Sequence, residues 1–141
     1  MKILAVLLLA LSASVQAPPS PKLPKLSEFN CLVKNIYYEA RGESAEGKKA
    51  VGIVTMNRVR SLNYPKTICE VVYQRKQFSW TNKRMKKHKI NEDEWQKSIN
   101  AATAAYNTVE SFDATHYHNL TVSPRWGLKK LIKIGNHIFY V

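Results

Sequence analysis

The segment Ala50-Val51-Gly52-Ile53-Val54 narrows what this chain can become more than any other. It lies in the middle of a helix opened by the cap residue Ser44, running to about Leu62 and ended by Asn63-Tyr64-Pro65. It is apolar almost all round, and a helix without a polar face is buried by its neighbours. Those neighbours can be read from the same chain. Phe29, Leu32, Val33, Ile36 and Ala40 fall on one helical stripe, capped by Ser27 and stopped at Gly42. Thr67 and Glu70 form a capping box for a short helix to about Gln74. Asn91 and Glu94 form another, with Asp93 adding negative charge that suits the helix dipole. From there Trp95, Ile99, Ala102, Tyr106 and Val109 mark a fourth helix over roughly 91–109. The chain then changes character. Leu131–Ile134 and His137–Tyr140 flank Gly135-Asn136, which predicts a hairpin, and Thr115 to His118 supply a third short strand. The expected fold class is α+β: helices followed by a small antiparallel sheet near the C-terminus.

The chain has 141 residues, enough for one domain. Its beginning is set apart from the fold. Met1-Lys2, the apolar run Ile3–Leu11 and the small residues of Val15-Gln16-Ala17 predict a secretory signal peptide over residues 1–17. The apolar run is shorter than the roughly 20 residues that span a bilayer. Residues 18–26 form a Pro-rich leader, and residues 27–141 are the domain itself. The expected location is therefore outside the cytoplasm, periplasmic or secreted. In an oxidising compartment Cys31 and Cys69, the only two cysteines, are most simply one disulfide. Closing that loop adds roughly 4 kcal/mol in the chain-entropy model. A catalytic thiol is the alternative.

Among the acids, Glu39 stands out. It lies roughly 80° from the centre of the first helix's apolar stripe, on the shoulder of the buried face. It is also in the last helical turn, where the dipole disfavours negative charge. Burial and dipole both raise a carboxyl pKa, and a carboxyl protonated near neutrality suits a general acid. Pairing with Arg41 would oppose this, and an ordinary helix-end ion pair is the plain alternative. Glu43 and Glu46 are the other nearby acids. His116 and His118 point to one side of a strand, which is ligand-like, with His137, Asp113 or a Cys as further candidates. None of these spacings is diagnostic, and no metal or other cofactor is expected. Tyr37, Tyr38, Phe78, Trp80, Tyr117, Trp126, Phe139 and Tyr140 are dense around these polar residues. Aromatic faces with polar tips suit sugar rings, although Phe78 and Phe139 fit a core better.

The formal net charge is +12, and Lys83-Arg84-Met85-Lys86-Lys87-His88-Lys89 concentrates it. Such a run suits an anionic wall polymer or envelope surface when it is more than a solvated loop. Nucleic acid is not expected of an exported chain with no recognisable binding module.

The motif Cys31-Leu32-Val33-Lys34-Asn35-Ile36-Tyr37-Tyr38-Glu39-Ala40-Arg41-Gly42-Glu43 resembles the opening of the SleB/CwlJ-type cell-wall hydrolases, the spore cortex-lytic enzyme family. Further blocks agree in order: Gly47 to Val59, Tyr64 to Tyr73, Gln77-Phe78-Ser79-Trp80-Thr81, Ala114 to His118 with Pro124-Arg125-Trp126, and Lys133 to Tyr140. The resemblance covers roughly residues 30–140 and implies a lysozyme-like α+β domain that cuts peptidoglycan glycan strands as a lytic transglycosylase. It implies Glu39 as the catalytic acid. Glu43, Gln77, Ser79, Trp80, His118, Trp126 and Tyr140 are expected at the substrate, with Glu43 the first candidate base if water is the nucleophile. Two other activities fit the residues less closely: an amidase or peptidase acting on stem peptides, and a non-catalytic cationic wall-binding protein. A monomer is the expected state.

Overall fold

The computed structural model describes residues 24–82, 88–108 and 112–141. The expected signal peptide, most of the expected leader and residues 83–87 of the basic run lie outside them. Four α-helices precede a three-stranded sheet: α1 Leu26–Ala40, α2 Ala45–Arg60, α3 Ile68–Val72, α4 Glu92–Asn107, then β1 His116–Asn119, β2 Lys130–Ile134 and β3 His137–Tyr140. The fold is α+β. Among the described residues, no helix is long and apolar enough to cross a membrane.

Helix α2 is the hub. Ala50 to Met56 are all buried along it, and it packs on α1, α3 and α4. Gly52 is the crossing point. A Cβ there would meet the Ala105 Cβ at 2.7 Å and the Ile36 Cδ1 at 2.9 Å, so only a glycine lets α4 and α1 come this close. Leu32, Val33 and Ile36 of α1, Val51 and Val54 of α2, and Val72 of α3 complete the core with Ala102 and Phe139. One polar link crosses it. The buried Asn35 amide donates to Thr55 Oγ1 (3.2 Å) and accepts from the Trp80 indole N–H (3.0 Å).

The caps are mostly those that the sequence announces. Ser44, Thr67 and Asn91 each accept a backbone N–H from the first turn of their helix. Ser27 does not. Helix α1 starts two residues earlier than a Ser27 cap would set, at Leu26 behind Lys25, without a side-chain cap, and Glu28 in its first turn accepts the Cys69 N–H (3.1 Å). The Asn91–Glu94 box is only half made. Glu94 turns away to accept the Gly42 N–H (3.2 Å) and to pair with Lys48 (3.0 Å).

Lys48 is buried, and its ammonium also donates to the Glu43 carbonyl (2.7 Å). A buried charge with one partner removed is strongly destabilising. Glu94→Ala, which leaves the buried Lys48 ammonium without its carboxylate, is therefore expected to cost about 3 kcal/mol by urea unfolding. The Glu94 carboxyl is held down at about 2, from 4.5, by the Gly42 N–H first and Lys48 second. Its contribution is complete above about 4.5 and is lost as pH falls from there towards 2. Glu94→Ala should flatten that acid limb of the stability curve.

The sheet order is β1-β3-β2, all antiparallel, with His116 opposite Tyr140 and Tyr117 opposite Phe139. Alternation puts Tyr117, His137 and Phe139 on the face towards the helices. His116, His118 and Tyr140 take the other face. At the hairpin, Gly135 takes φ +55, the positive value a glycine accepts at the first turn position. The disulfide joins Cys31 on α1 to Cys69 on α3, with Cα atoms 5.3 Å apart.

Candidate active site

Glu39, in the last turn of α1, lines both lobes of a groove. One lobe, of about 800 Å³, is lined by Glu39, Arg75, Lys76, Gln77, Ser79 and Asn82 among others. The other, of about 340 Å³, is lined by Glu39, Arg58, Lys76, Gln77, His116, Tyr117 and Trp126 with Phe78. Glu39 is the only acid on either wall among the described residues.

Helix α2 builds the wall opposite Glu39. At its C-terminal end Asn57 donates to the Ala114 carbonyl (2.9 Å) and Arg58 Nε to the Thr115 carbonyl (2.7 Å). These bonds fix the start of β1. Tyr117, two residues on, then reaches back to donate its hydroxyl to Glu39 Oε2 (3.2 Å). Arg58 also donates to Gln77 Oε1 (3.0 Å) and lies against the rings of Tyr64 and Phe78.

Burial pushes the Glu39 carboxyl up from 4.5 to about 7, against the opposing pull of the Tyr117 hydrogen bond and the Arg58 charge. Tyr117 is buried, which raises its own pKa and keeps it a donor. Burial lowers the Arg58 pKa, but a guanidinium starts so high that it stays charged. Glu39 is thus a protonated acid near neutrality, with a cation waiting for its conjugate base. Arg41, whose pairing with Glu39 was the opposing possibility, lies 5.9 Å from the Tyr37 ring centroid.

The residues expected at the substrate divide. Gln77, Ser79 and Trp126 line the groove. His118 and Tyr140 stack beside it, with His118 Nε2 2.9 Å from the Tyr140 hydroxyl and Trp126 edge-on to both rings. Trp80 and Glu43 are elsewhere. Trp80 stacks on Tyr38, and its indole N–H is spent on Asn35. Glu43 faces the hairpin, accepting the Asn136 N–H (3.2 Å) 3.9 Å from His137 Nδ1. A Cβ on Gly135 would run into the Glu43 carboxylate. Glu43 and Glu46 line a separate cavity between α2 and α4. His137 is on the opposite sheet face from His116 and His118, so the three histidines do not converge. Among the described residues no group of three potential ligands could hold a metal ion.

Arg58, Lys76, His116 and Tyr117 were not among the residues expected at the substrate. For Arg58 a signal existed: it continues the buried stripe of Val51, Val54 and Thr55 at helical spacing, so it is a cation where the pattern asks for an apolar residue. Lys76 carries no such mark.

An α+β domain with one carboxyl kept neutral in a sugar-sized groove is the frame of an acid-catalysed enzyme. The chain belongs to the cell wall hydrolase family, whose model matches residues 42–140. Among the curated relatives, a spore cortex-lytic enzyme of Bacillus subtilis (strain 168) is 28% identical over 120 residues, covering 80% of this chain and 37% of that protein. That of Oceanobacillus iheyensis is 28% identical over 132 residues, covering 86% and 45%. The chain thus spans less than half the length of these relatives. The catalytic domain of the germination-specific lytic transglycosylase SleB from Bacillus anthracis superposes with a TM-score of 0.70 at 25% identity, over 86% of this chain and 100% of that one. The catalytic domain of the Bacillus cereus SleB protein gives 0.67 at 26% identity, over 92% and 100%. Glu39 lies just before the segment the family model matches.

Proposed function

We propose that this chain cleaves peptidoglycan glycan strands between N-acetylmuramic acid and N-acetylglucosamine, as a lytic transglycosylase with Glu39 as its one catalytic carboxyl. The observation that carries this is the Glu39 carboxyl raised to about 7 in a groove with no second acid among the described residues. Glu39 donates its proton to the glycosidic oxygen as the bond to the muramyl C1 breaks. The leaving sugar departs with that proton as its 4-hydroxyl. The muramyl 6-hydroxyl then attacks C1, closes an anhydro ring and returns its proton to Glu39. Arg58 and the Tyr117 hydroxyl stabilise the carboxylate between the two steps. A hydrolase would need a base for water. Glu43, turned into the hairpin, is poorly placed for that, which supports the ring-closing route.

The N-terminal apolar run and the Cys31–Cys69 bond support export to an oxidising compartment, with residues 27–141 as the catalytic domain. The basic run 83–89 would hold the enzyme on its anionic wall polymer. No nucleic acid takes part, and the protein acts as a monomer.

The test is mass spectrometry of fragments released from purified peptidoglycan. Anhydro-muramyl ends are expected. Ordinary reducing ends would mean water is the nucleophile, and freed stem peptides would mean the wrong bond has been assigned. The first step needs protonated Glu39, so its rate should fall about tenfold per pH unit above about 7. A rate that keeps rising to pH 9 would remove Glu39 as the acid.

A further inference from the structure

We propose that Arg75 and Lys76 form a carboxylate-binding site at the mouth of the groove, reading an anionic substituent on the strand next to the bond that is cut; this rests on the glycan-cleaving function proposed above. Three observations point there.

The first is the backbone. Lys76 has φ +64, and among the described residues it is the only non-glycine with a positive φ. The Gln77 N–H donates to the Gln74 carbonyl (3.1 Å), closing a tight turn with Lys76 at its third position. Glycine fits that position without strain, and a long side chain does not. Strain of this kind persists where a side chain is needed at a site.

The second is position. Among the described residues Lys76 is the only cation that lines both lobes, as Glu39 does, and Arg75 lines the larger lobe. A ligand at the Glu39 carboxyl therefore shares a wall with Lys76 in either lobe.

The third is charge. Lys48 and Lys97 are engaged by acids, and Arg58 by Gln77 and a carbonyl. Arg75 and Lys76 are exposed and form no salt bridge among the described residues. Among the described residues the one acid on the groove walls is Glu39, which is neutral when the enzyme is ready to act. An entering anion therefore meets cations without an opposing negative charge. A guanidinium fork beside an ammonium suits a carboxylate, whereas neutral sugar hydroxyls have no need of two cations. On a wall strand, carboxylates occur on the stem peptides and on muramyl lactyl groups freed of peptide.

The experiment compares solubilised strands with free carboxyls with the same strands after carbodiimide coupling to methylamine. The wild-type KM is expected to be about tenfold higher on the amidated strands. In Arg75→Gln/Lys76→Gly that ratio should collapse to about one, while Lys76→Arg keeps it. Glycine suits the turn, so loss of discrimination in this variant is not a folding defect. A third sample, stripped of peptides by an amidase, separates the sources. A KM like that of free-carboxyl strands assigns the lactyl group, and one like that of amidated strands assigns the peptide. A wild-type enzyme indifferent to amidation, or a double variant that discriminates as well as wild type, would overturn the proposal. The same ratio read as strand binding to Glu39→Gln protein tests the site even if a different bond is cut.

Discussion

Glu39→Gln is expected to lose about a thousandfold in glycan cleavage while still binding the wall. Gln keeps the shape of the side chain and can still meet the Tyr117 hydroxyl, but it has no proton to give the glycosidic oxygen. Mass spectrometry of released fragments beside the wild type measures the loss, and full activity in the folded variant would remove Glu39 from catalysis. The same change should raise stability at alkaline pH. The folded-state pKa of Glu39 is raised from 4.5 to about 7, so the native state holds its proton more tightly than the unfolded chain does. Stability from this group is then fully present below about 4.5 and is lost as pH rises through about 7. Gln carries no such penalty. Thermal melts should show the variant ahead by about 2 kcal/mol at pH 8, allowing for solvent in the groove, and level with wild type at pH 4. A site that stabilises its own acid by keeping it neutral is destabilised once that acid ionises.

Removing the Cys31–Cys69 bond is expected to have the largest effect on stability. The bond closes a loop with a sequence separation of 38, and the denatured chain gains back about 4 kcal/mol of entropy without it. For a domain of this size that is roughly a 15 °C fall in Tm. The Cys31→Ala/Cys69→Ala protein should still fold. Leu32 and Val33 on α1 and Val72 on α3 share one core, and the Glu28 carboxylate still holds the N–H of residue 69. Since α1 carries Glu39 at its far end, activity at low temperature should survive while the range of working temperature shrinks. Melts with and without reductant on the wild type give the same comparison, and an unchanged Tm would show that packing alone fixes α1 against α3.

Much of this domain was legible in the chain because the signals are local. Ser44, Thr67 and Asn91 cap the helices they precede, since a cap bonds an N–H two or three residues away. The apolar Ala50–Val54 segment is buried as its composition requires, and Gly135-Asn136 turns the hairpin between two strands that directly adjoin it. The place of Glu39 on the shoulder of α1 follows from helix geometry, and partial burial follows from that place. Where the reading departed from the structure, a distant element had intervened. Glu94 leaves its own capping box because Gly42 and Lys48 offer it better partners across the α2–α4 contact. Ser27 is not a cap because it lies inside α1, which begins at Leu26 and is tied to α3 through Glu28.

The sequence by itself determined the elements, their order and the one disulfide, and it singled out Glu39 as the candidate acid. All of these depend on spacing within a turn or two, or on there being only two cysteines to pair. The tertiary structure decided what surrounds that acid. Tyr117 reaches Glu39 and the Arg58 charge acts on it, Glu43 is turned into the hairpin, Trp80 is drawn to Asn35, and Lys76 takes a left-handed backbone while lining both lobes. Each of these depends on how helices and sheet dock, because side chains 19 to 93 residues apart meet only when the core that joins them has formed.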